Sequence, residues 1–99
     1  MTTCDVTIRN PLGLHARAAA RFVHVASAFA SAIRVGRSGR EIDGKSIMGL
    51  LLLSASQGTA ITISADGADE EKAMTALCDL VQRGFDEAPF DRAQGERCV

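Results

Sequence analysis

Within 99 residues, four short segments with alternating apolar and polar residues are interleaved with three segments whose apolar residues recur at helical spacing. The order is strand, helix, strand, strand, helix, strand, helix. A period of two places every second side chain on one face of a strand, and a period near 3.6 lays an apolar stripe along one side of a helix. Each element therefore has one face to hide, and a chain this short has a single modest core in which to hide it. Three amphipathic helices suffice to cover one face of a four-stranded sheet and leave the other face in water. The expected fold is a two-layer α+β domain.

The boundaries follow from local signals. Cys4, Val6 and Ile8 alternate with Asp5, Thr7 and Arg9, and Asn10-Pro11-Leu12-Gly13 breaks that strand. From Ala16 to about Ser27, Ala19, Phe22, Val23 and Ala26 fall at helical spacing among further alanines, which favour helix. Ala32–Val35 and Arg40–Asp43 form a predicted hairpin across the turn Gly36-Arg37-Ser38-Gly39. Ser46 is the expected N-cap of a short helix over the apolar run that follows. A buried strand is the competing assignment, and the Leu and Met content favours helix. Gln57-Gly58 ends it, and Ala60–Ala65 is the fourth strand. Asp69 is expected to cap the last helix, with Glu70 and Glu71 in its first turn, Ala73, Leu77, Leu80 and Val81 as its stripe, and Gly84 as its stop. Residues 1–87 are the expected domain and 88–99 a flexible C-terminal tail.

Composition excludes several functions. The formal net charge is -1, and there is no Trp, no Tyr and only four Phe, so neither a nucleic-acid surface nor a base-stacking platform is expected. The longest apolar run is too short to cross a membrane and no leader pattern opens the chain, so a soluble, cytoplasmic protein is expected. Cys4, Cys78 and Cys98 are odd in number and widely spaced. Neither a disulfide framework nor a metal site fits them; Cys4 and Cys78 are expected to act as small core residues and Cys98 as a thiol on the tail. No cofactor is implied.

His15, at the junction of loop and helix in Gly13-Leu14-His15-Ala16-Arg17, carries the most chemistry. A helix start offers unpaired backbone N–H groups and partial positive charge, a natural seat for an anion. An imidazole there can attack phosphorus, and Arg17 in the first turn can add charge-assisted hydrogen bonds to the phosphoryl oxygens. Taken alone, a histidine at such a place is more commonly a cap or a surface residue. His24, further along the same helix, is expected to be solvated. Gly39-Arg40-Glu41-Ile42-Asp43-Gly44-Lys45-Ser46 matches the nucleotide-binding P-loop pattern, but it lies on a predicted hairpin before a short helix, so it is taken as coincidence. Ile47, Met48 and Leu51 lie on a different helix face from Leu50 and Leu53, which leaves either a docking patch or a second buried face.

Three blocks in order resemble the HPr family, the histidine phosphocarriers of the bacterial phosphoenolpyruvate phosphotransferase system. They are Asn10-Pro11-Leu12-Gly13-Leu14-His15-Ala16-Arg17 continuing through Val23, then Gly44-Lys45-Ser46-Ile47-Met48-Gly49, then Gln57-Gly58-Thr59 leading into Ile61–Gly67. The resemblance spans residues 2 to 87. It implies an open-faced β-sandwich, with an antiparallel sheet of strand order 1-4-2-3 and three helices on one face. It implies that His15 is phosphorylated on Nδ1, that Arg17 stabilises the phosphate, and that Ser46 is the target of a dedicated ATP-dependent kinase, the HPr kinase/phosphorylase. Ala16, Ala20, Ile47, Met48 and Leu51 match the docking surface for enzyme I and for EIIA-type domains, and the chain is expected to act as a monomeric carrier rather than an enzyme. The blocks at residues 44–49 and 66–71 look more like the nitrogen-related regulatory branch than the sugar-uptake branch. Where the family usually has proline after the arginine, this chain has Ala18, which puts the rigidity of the His15 loop in question. The alternative function is a non-catalytic regulatory module that binds partners through the apolar patch.

Overall fold

The alternating segments form strands β1 (Thr2–Thr7), β2 (Ala32–Arg37), β3 (Arg40–Asp43) and β4 (Ala60–Asp66), and the helically spaced segments form α1 (Ala16–Ser27), α2 (Ile47–Leu52) and α3 (Glu70–Gln82). A computed structural model describes residues 1–85. The last two residues of the expected domain, the expected tail and Cys98 lie outside the described residues. The strands make one antiparallel sheet in the order β1-β4-β2-β3. Among the described residues, no helix is long and apolar enough to cross a membrane.

Register explains why one face is dry. Val6 pairs with Ile61, Cys4 with Ile63, Val35 with Ile63 and Ile33 with Ala65, so inward side chains meet inward side chains across the sheet. Val6, Ile33, Val35, Ile61, Ile63 and Ala65 are buried under the helices, while Thr3, Asp5, Thr7 and Arg34 on the opposite face are exposed. On that wet face Thr62 Oγ1 donates to Asp5 Oδ1 at 2.7 Å, directly across the ladder. From the helical layer Ala18, Ala19, Phe22 and Ala26 of α1, Leu50 of α2, and Ala73, Leu77, Leu80 and Val81 of α3 complete the core.

β1 starts at Thr2 and ends at Thr7, before Ile8, β4 runs one residue further to Asp66, and two further details differ from expectation. Strand β2 runs through Gly36 and Arg37, which pair with Glu41 and Arg40. The turn shrinks to Ser38-Gly39, both at positive φ, as a two-residue hairpin of the primed type requires. Asp69 precedes α3 but makes no side-chain cap to it. Its carboxylate instead accepts from the amides of Ala30 (2.9 Å) and Ser31 (3.0 Å) and from the Ser31 hydroxyl. Ser31 is buried at the entry to β2, where its backbone and hydroxyl groups need partners, and Asp69 is the acceptor within reach. Glu70 takes over at the helix start, accepting from the Gly67 amide at 3.1 Å and from Thr2 Oγ1 at 2.6 Å, beside the amino group of Met1 at 3.1 Å.

These bonds favour the ionised carboxylates. The Thr2 hydroxyl, then the Gly67 amide and the Met1 amino group, hold Glu70 down at about 2. The Ser31 hydroxyl, then the Ala30 amide, lower Asp69. A depressed folded-state pKa stabilises the fold above the unfolded value and loses that contribution as pH falls through the folded value. For Glu70 the window runs from about 4.5 down to about 2. Urea titrations at a series of pH values should therefore show stability falling across that range, with a shallower acid limb in Glu70→Gln.

Candidate functional site

The loop between β1 and α1 is closed by its own backbone before any helix forms. Asn10 is 2% exposed, its Nδ2 donates to the Gly13 carbonyl at 2.7 Å, and the Gly13 amide donates back to the Asn10 carbonyl at 3.0 Å. Gly13 sits at φ +68, and a Cβ there would lie 2.7 Å from the Ala55 carbonyl oxygen and 2.8 Å from Ser56 Cα. Glycine is required twice over, by the left-handed conformation and by the space. Leu14 is buried next to it and donates its amide to the Ala55 carbonyl at 2.8 Å. The segment after α2 thus holds the loop that leads into α1.

His15 is the N-cap of α1, with extended backbone at φ -89, ψ -179. The first helical bond runs from the Ala19 amide to the His15 carbonyl at 2.8 Å, so the amides of Ala16, Arg17 and Ala18 belong to the unpaired first turn. The Arg17 amide donates to His15 Nδ1 at 3.3 Å. In a neutral ring that arrangement leaves the proton on Nε2 and the lone pair on Nδ1. The nucleophilic nitrogen therefore faces the amides that would receive the oxygens of a group joined to it. His15 is half-buried and the Arg17 side chain is exposed. Ala18 is fully buried as the third helical residue, and α1 starts without the ring constraint of a proline. His24 is exposed in the last turn of α1.

Ser46 caps α2, its Oγ accepting from the Gly49 amide at 3.0 Å. The expected apolar patch divides differently from the sequence pattern. Ile47 is 40% exposed and Met48 68%, but Leu51 is half-buried against the core. Leu52, one turn beyond Met48, takes the outward place at 60% exposed, and Leu12 in the histidine loop is 71% exposed. A six-residue helix turns only one apolar edge inward, and Leu50, in α2, with Leu53 just beyond its end, occupies it. Ala16 and Ala20 are exposed on α1, which packs against α2. The residues of the P-loop-like string are divided between the hairpin turn, the edge strand β3 and the cap of a short helix, with no parallel strand before them.

Sequence patterns left two roles unassigned. Asn10 is a positioning residue for the histidine loop, and its only sequence signal is the turn-forming Asn-Pro pair. Arg37 Nη1 donates to the carbonyls of Leu53 (2.6 Å) and Ser54 (3.2 Å), and Arg40 Nη1 to that of Leu52 (3.0 Å), so the hairpin supplies cations to the C-terminal end of α2. Cys4 and Cys78 are both half-buried against the core, and burial followed by the Cys4 thiol beside it pushes Cys78 up to about 12. Among the described residues, no three metal-ligating side chains cluster.

The chain matches the family model described as "PTS HPr component phosphorylation site" over residues 2–83. It is 47% identical to the phosphocarrier protein HPr of Cupriavidus necator over 83 residues, which covers 84% of this chain and 93% of that protein. It is 42% identical to the phosphocarrier protein NPr of Shewanella violacea, covering 85% of this chain and 92% of that one. Among solved structures it is similar to the HPr-C-His of Thermoanaerobacter tengcongensis, with TM-score 0.86, 45% identity, and 89% and 99% of the two chains covered.

Replacing Gly13 with alanine is expected to lower unfolding free energy by about 2 kcal/mol or more, since a left-handed alanine is strained and its methyl group meets backbone rather than a yielding side chain. Urea denaturation of the variant checks the value.

Proposed function

Given that the chain belongs to the HPr phosphocarrier family, we propose that His15 accepts a phosphoryl group on Nδ1 from phosphorylated enzyme I and donates it to EIIA-type domains. The observation that carries this reading is the Arg17 amide facing His15 Nδ1 at the unpaired first turn of α1. In the step, the bond from phosphorus to the donor breaks as the bond to Nδ1 forms. The Nδ1 lone pair becomes the bond to phosphorus, so the Arg17 amide turns its N–H from Nδ1 to a phosphoryl oxygen, the other oxygens meet the neighbouring first-turn N–H groups, and the Arg17 guanidinium adds charge. Phosphoryl transfer depends mainly on such positioning and charge stabilisation, so a carrier needs little more than this corner. Transfer onward to an acceptor is the same step in reverse polarity, from Nδ1 to the next nucleophile.

Partners are recognised in this reading by the exposed apolar side chains around the corner: Leu12, Ala16 and Ala20 with Ile47, Met48 and Leu52. Leu51 contributes from beneath, by supporting the α2 backbone. Ser46 is the regulatory position, the substrate of an HPr kinase/phosphorylase. A phosphate of charge near -2 at the start of α2 stabilises that helix and sets an anion beside the apolar patch, which repels partners with acidic rims.

Incubation with phosphoenolpyruvate and enzyme I should label the protein with an acid-labile, base-stable phosphate, and His15→Ala should take up none. Equal labelling of both proteins would overturn the relay and leave the regulatory-module function standing. Ser46→Asp retains a good N-cap residue, so its urea midpoint should match or exceed that of the parent while His15 labelling slows by about tenfold, equivalent to ~1.4 kcal/mol in the barrier. An unchanged labelling rate counts against regulation by charge at Ser46.

A further inference from the structure

Strand β1 and helix α3 run side by side at one edge of the sheet. At their starts Thr2 Oγ1 donates to Glu70 Oε2 at 2.6 Å, and beyond their far ends Asn10 lies against Gly84, where a Cβ on the glycine would meet Asn10 Cβ at 3.6 Å. Between these two fixed points each element carries one cysteine, Cys4 on β1 and Cys78 on α3. Cys4 pairs across the ladder with Ile63, which is fully buried, so its side chain belongs to the inward set on which α3 packs. Cys78 follows the buried Leu77 and lies one turn beyond the buried Met74. Both side chains are half-buried against the core, and both are free thiols.

The two sulfurs are neighbours although the residues are far apart in the sequence. The Cys4 thiol points to the Asp5 carbonyl, with its sulfur 3.7 Å from that oxygen, which leaves the sulfur lone pairs to accept from the Cys78 thiol. That hydrogen bond, after burial, is what holds the proton on Cys78 up to about 12. The thiolate is the form that oxidants attack, so a thiol kept protonated is a poor first target. The first oxidation therefore falls to Cys4, on the edge strand of the sheet. Folding has placed the second sulfur directly beside it.

We propose that Cys4 and Cys78 form a reversible oxidation site, at which a hydroperoxide converts the two thiols into a disulfide between β1 and α3. The peroxide O–O bond breaks, one oxygen joins Cys4 Sγ as a sulfenic acid, and the other leaves as an alcohol, or as water from hydrogen peroxide. Cys78 Sγ then attacks the Cys4 sulfur. The S–S bond forms, the S–O bond breaks, and the departing hydroxide takes the Cys78 proton and leaves as water. Two thiols are oxidised and one peroxide is reduced. A dithiol reverses the step by exchange and is itself oxidised to a disulfide. The new bond closes most of the domain into one covalent loop, which restricts the unfolded chain. The site is independent of the phosphoryl-relay reading.

The test uses the full chain carrying Cys98→Ser, so that only these two thiols remain. After hydrogen peroxide, alkylation and digestion without reductant, mass spectrometry should find the Cys4 and Cys78 peptides joined, with two hydrogens lost and neither sulfur alkylated. Dithiothreitol should restore both thiols. The oxidised chain should show a higher urea midpoint than the reduced one, and Cys4→Ser should abolish that difference. Serine at a half-buried position can itself weaken the fold, so a second comparison needs no variant. Joining should slow at least about tenfold when the chain is oxidised unfolded in urea, because folding supplies the high local concentration of one thiol at the other. Equal rates in the folded and unfolded chain overturn the proposal. So do two alkylatable thiols after peroxide, a sulfinic acid on Cys4 with Cys78 unreacted, or a disulfide between two chains. No phosphoryl transfer enters these readouts, so a failure of the relay reading and a failure of this one are separately visible.

Discussion

The backbone of Gly13 lies against the Ala55 carbonyl with no room for even a methyl group between them, and the position of His15 depends on that approach. The Leu14 amide bonds to the same carbonyl, Asn10 closes the turn behind it, and two residues later α1 begins. A loop of this length would ordinarily be among the more mobile parts of a small domain. Here its amides and carbonyls are tied to a segment that is itself anchored, because Leu53 and Ala55 are buried and Arg37 grips the carbonyls of Leu53 and Ser54. The hairpin of β2 and β3 thus supports the histidine indirectly, through the end of α2.

The charged residues repeat this division of labour. Several of the described ones hold backbone groups that secondary structure leaves over. Arg37 and Arg40 take the last carbonyls of α2, Lys45 Nζ takes the Phe29 carbonyl beyond α1 at 2.8 Å, and Asp69 takes the amides of Ala30 and Ser31. In a domain this small many element ends lie close to the core, where an unpaired backbone group is costly. Long side chains from neighbouring elements satisfy those ends while keeping their charge near water. The outcome is a scaffold with side-chain-to-backbone bonds gathered at helix ends, and His15 sits at the start of α1.

Such a corner suits a group that must be accepted and given away again. In the proposed relay an enclosed pocket would shelter a phosphoryl group from the next acceptor, whereas a helix start with an imidazole cap would hold it on backbone amides and leave its outer side open. The exposed apolar residues follow the same logic. Leu12, Ile47, Met48 and Leu52 are exposed while Phe22, Leu50, Leu53, Leu77 and Phe85 fill the core, and the proposed docking uses those exposed side chains.

Alternation at residues 4–8, 32–35 and 60–65 and helical spacing at 16–27 and 70–82 were enough to place three strands, two helices and the two layers, because inward and outward positions differ in hydration free energy by amounts that local pattern carries directly. The same holds for Ser46 as the cap of α2 and for His15 at the junction of loop and helix, since helix starts are decided within a few residues of chain. Tertiary structure alone decided where Asp69 and Glu70 point, which of Leu51 and Leu52 faces water, and why Asn10 is buried. Asp69 looks like a cap in sequence, yet two amides and a hydroxyl near residue 31, brought next to it by the packing of the sheet and α3, compete for its carboxylate and win. Choices of that kind depend on partners dozens of residues away, and no local period encodes the distance between groups that only folding brings together.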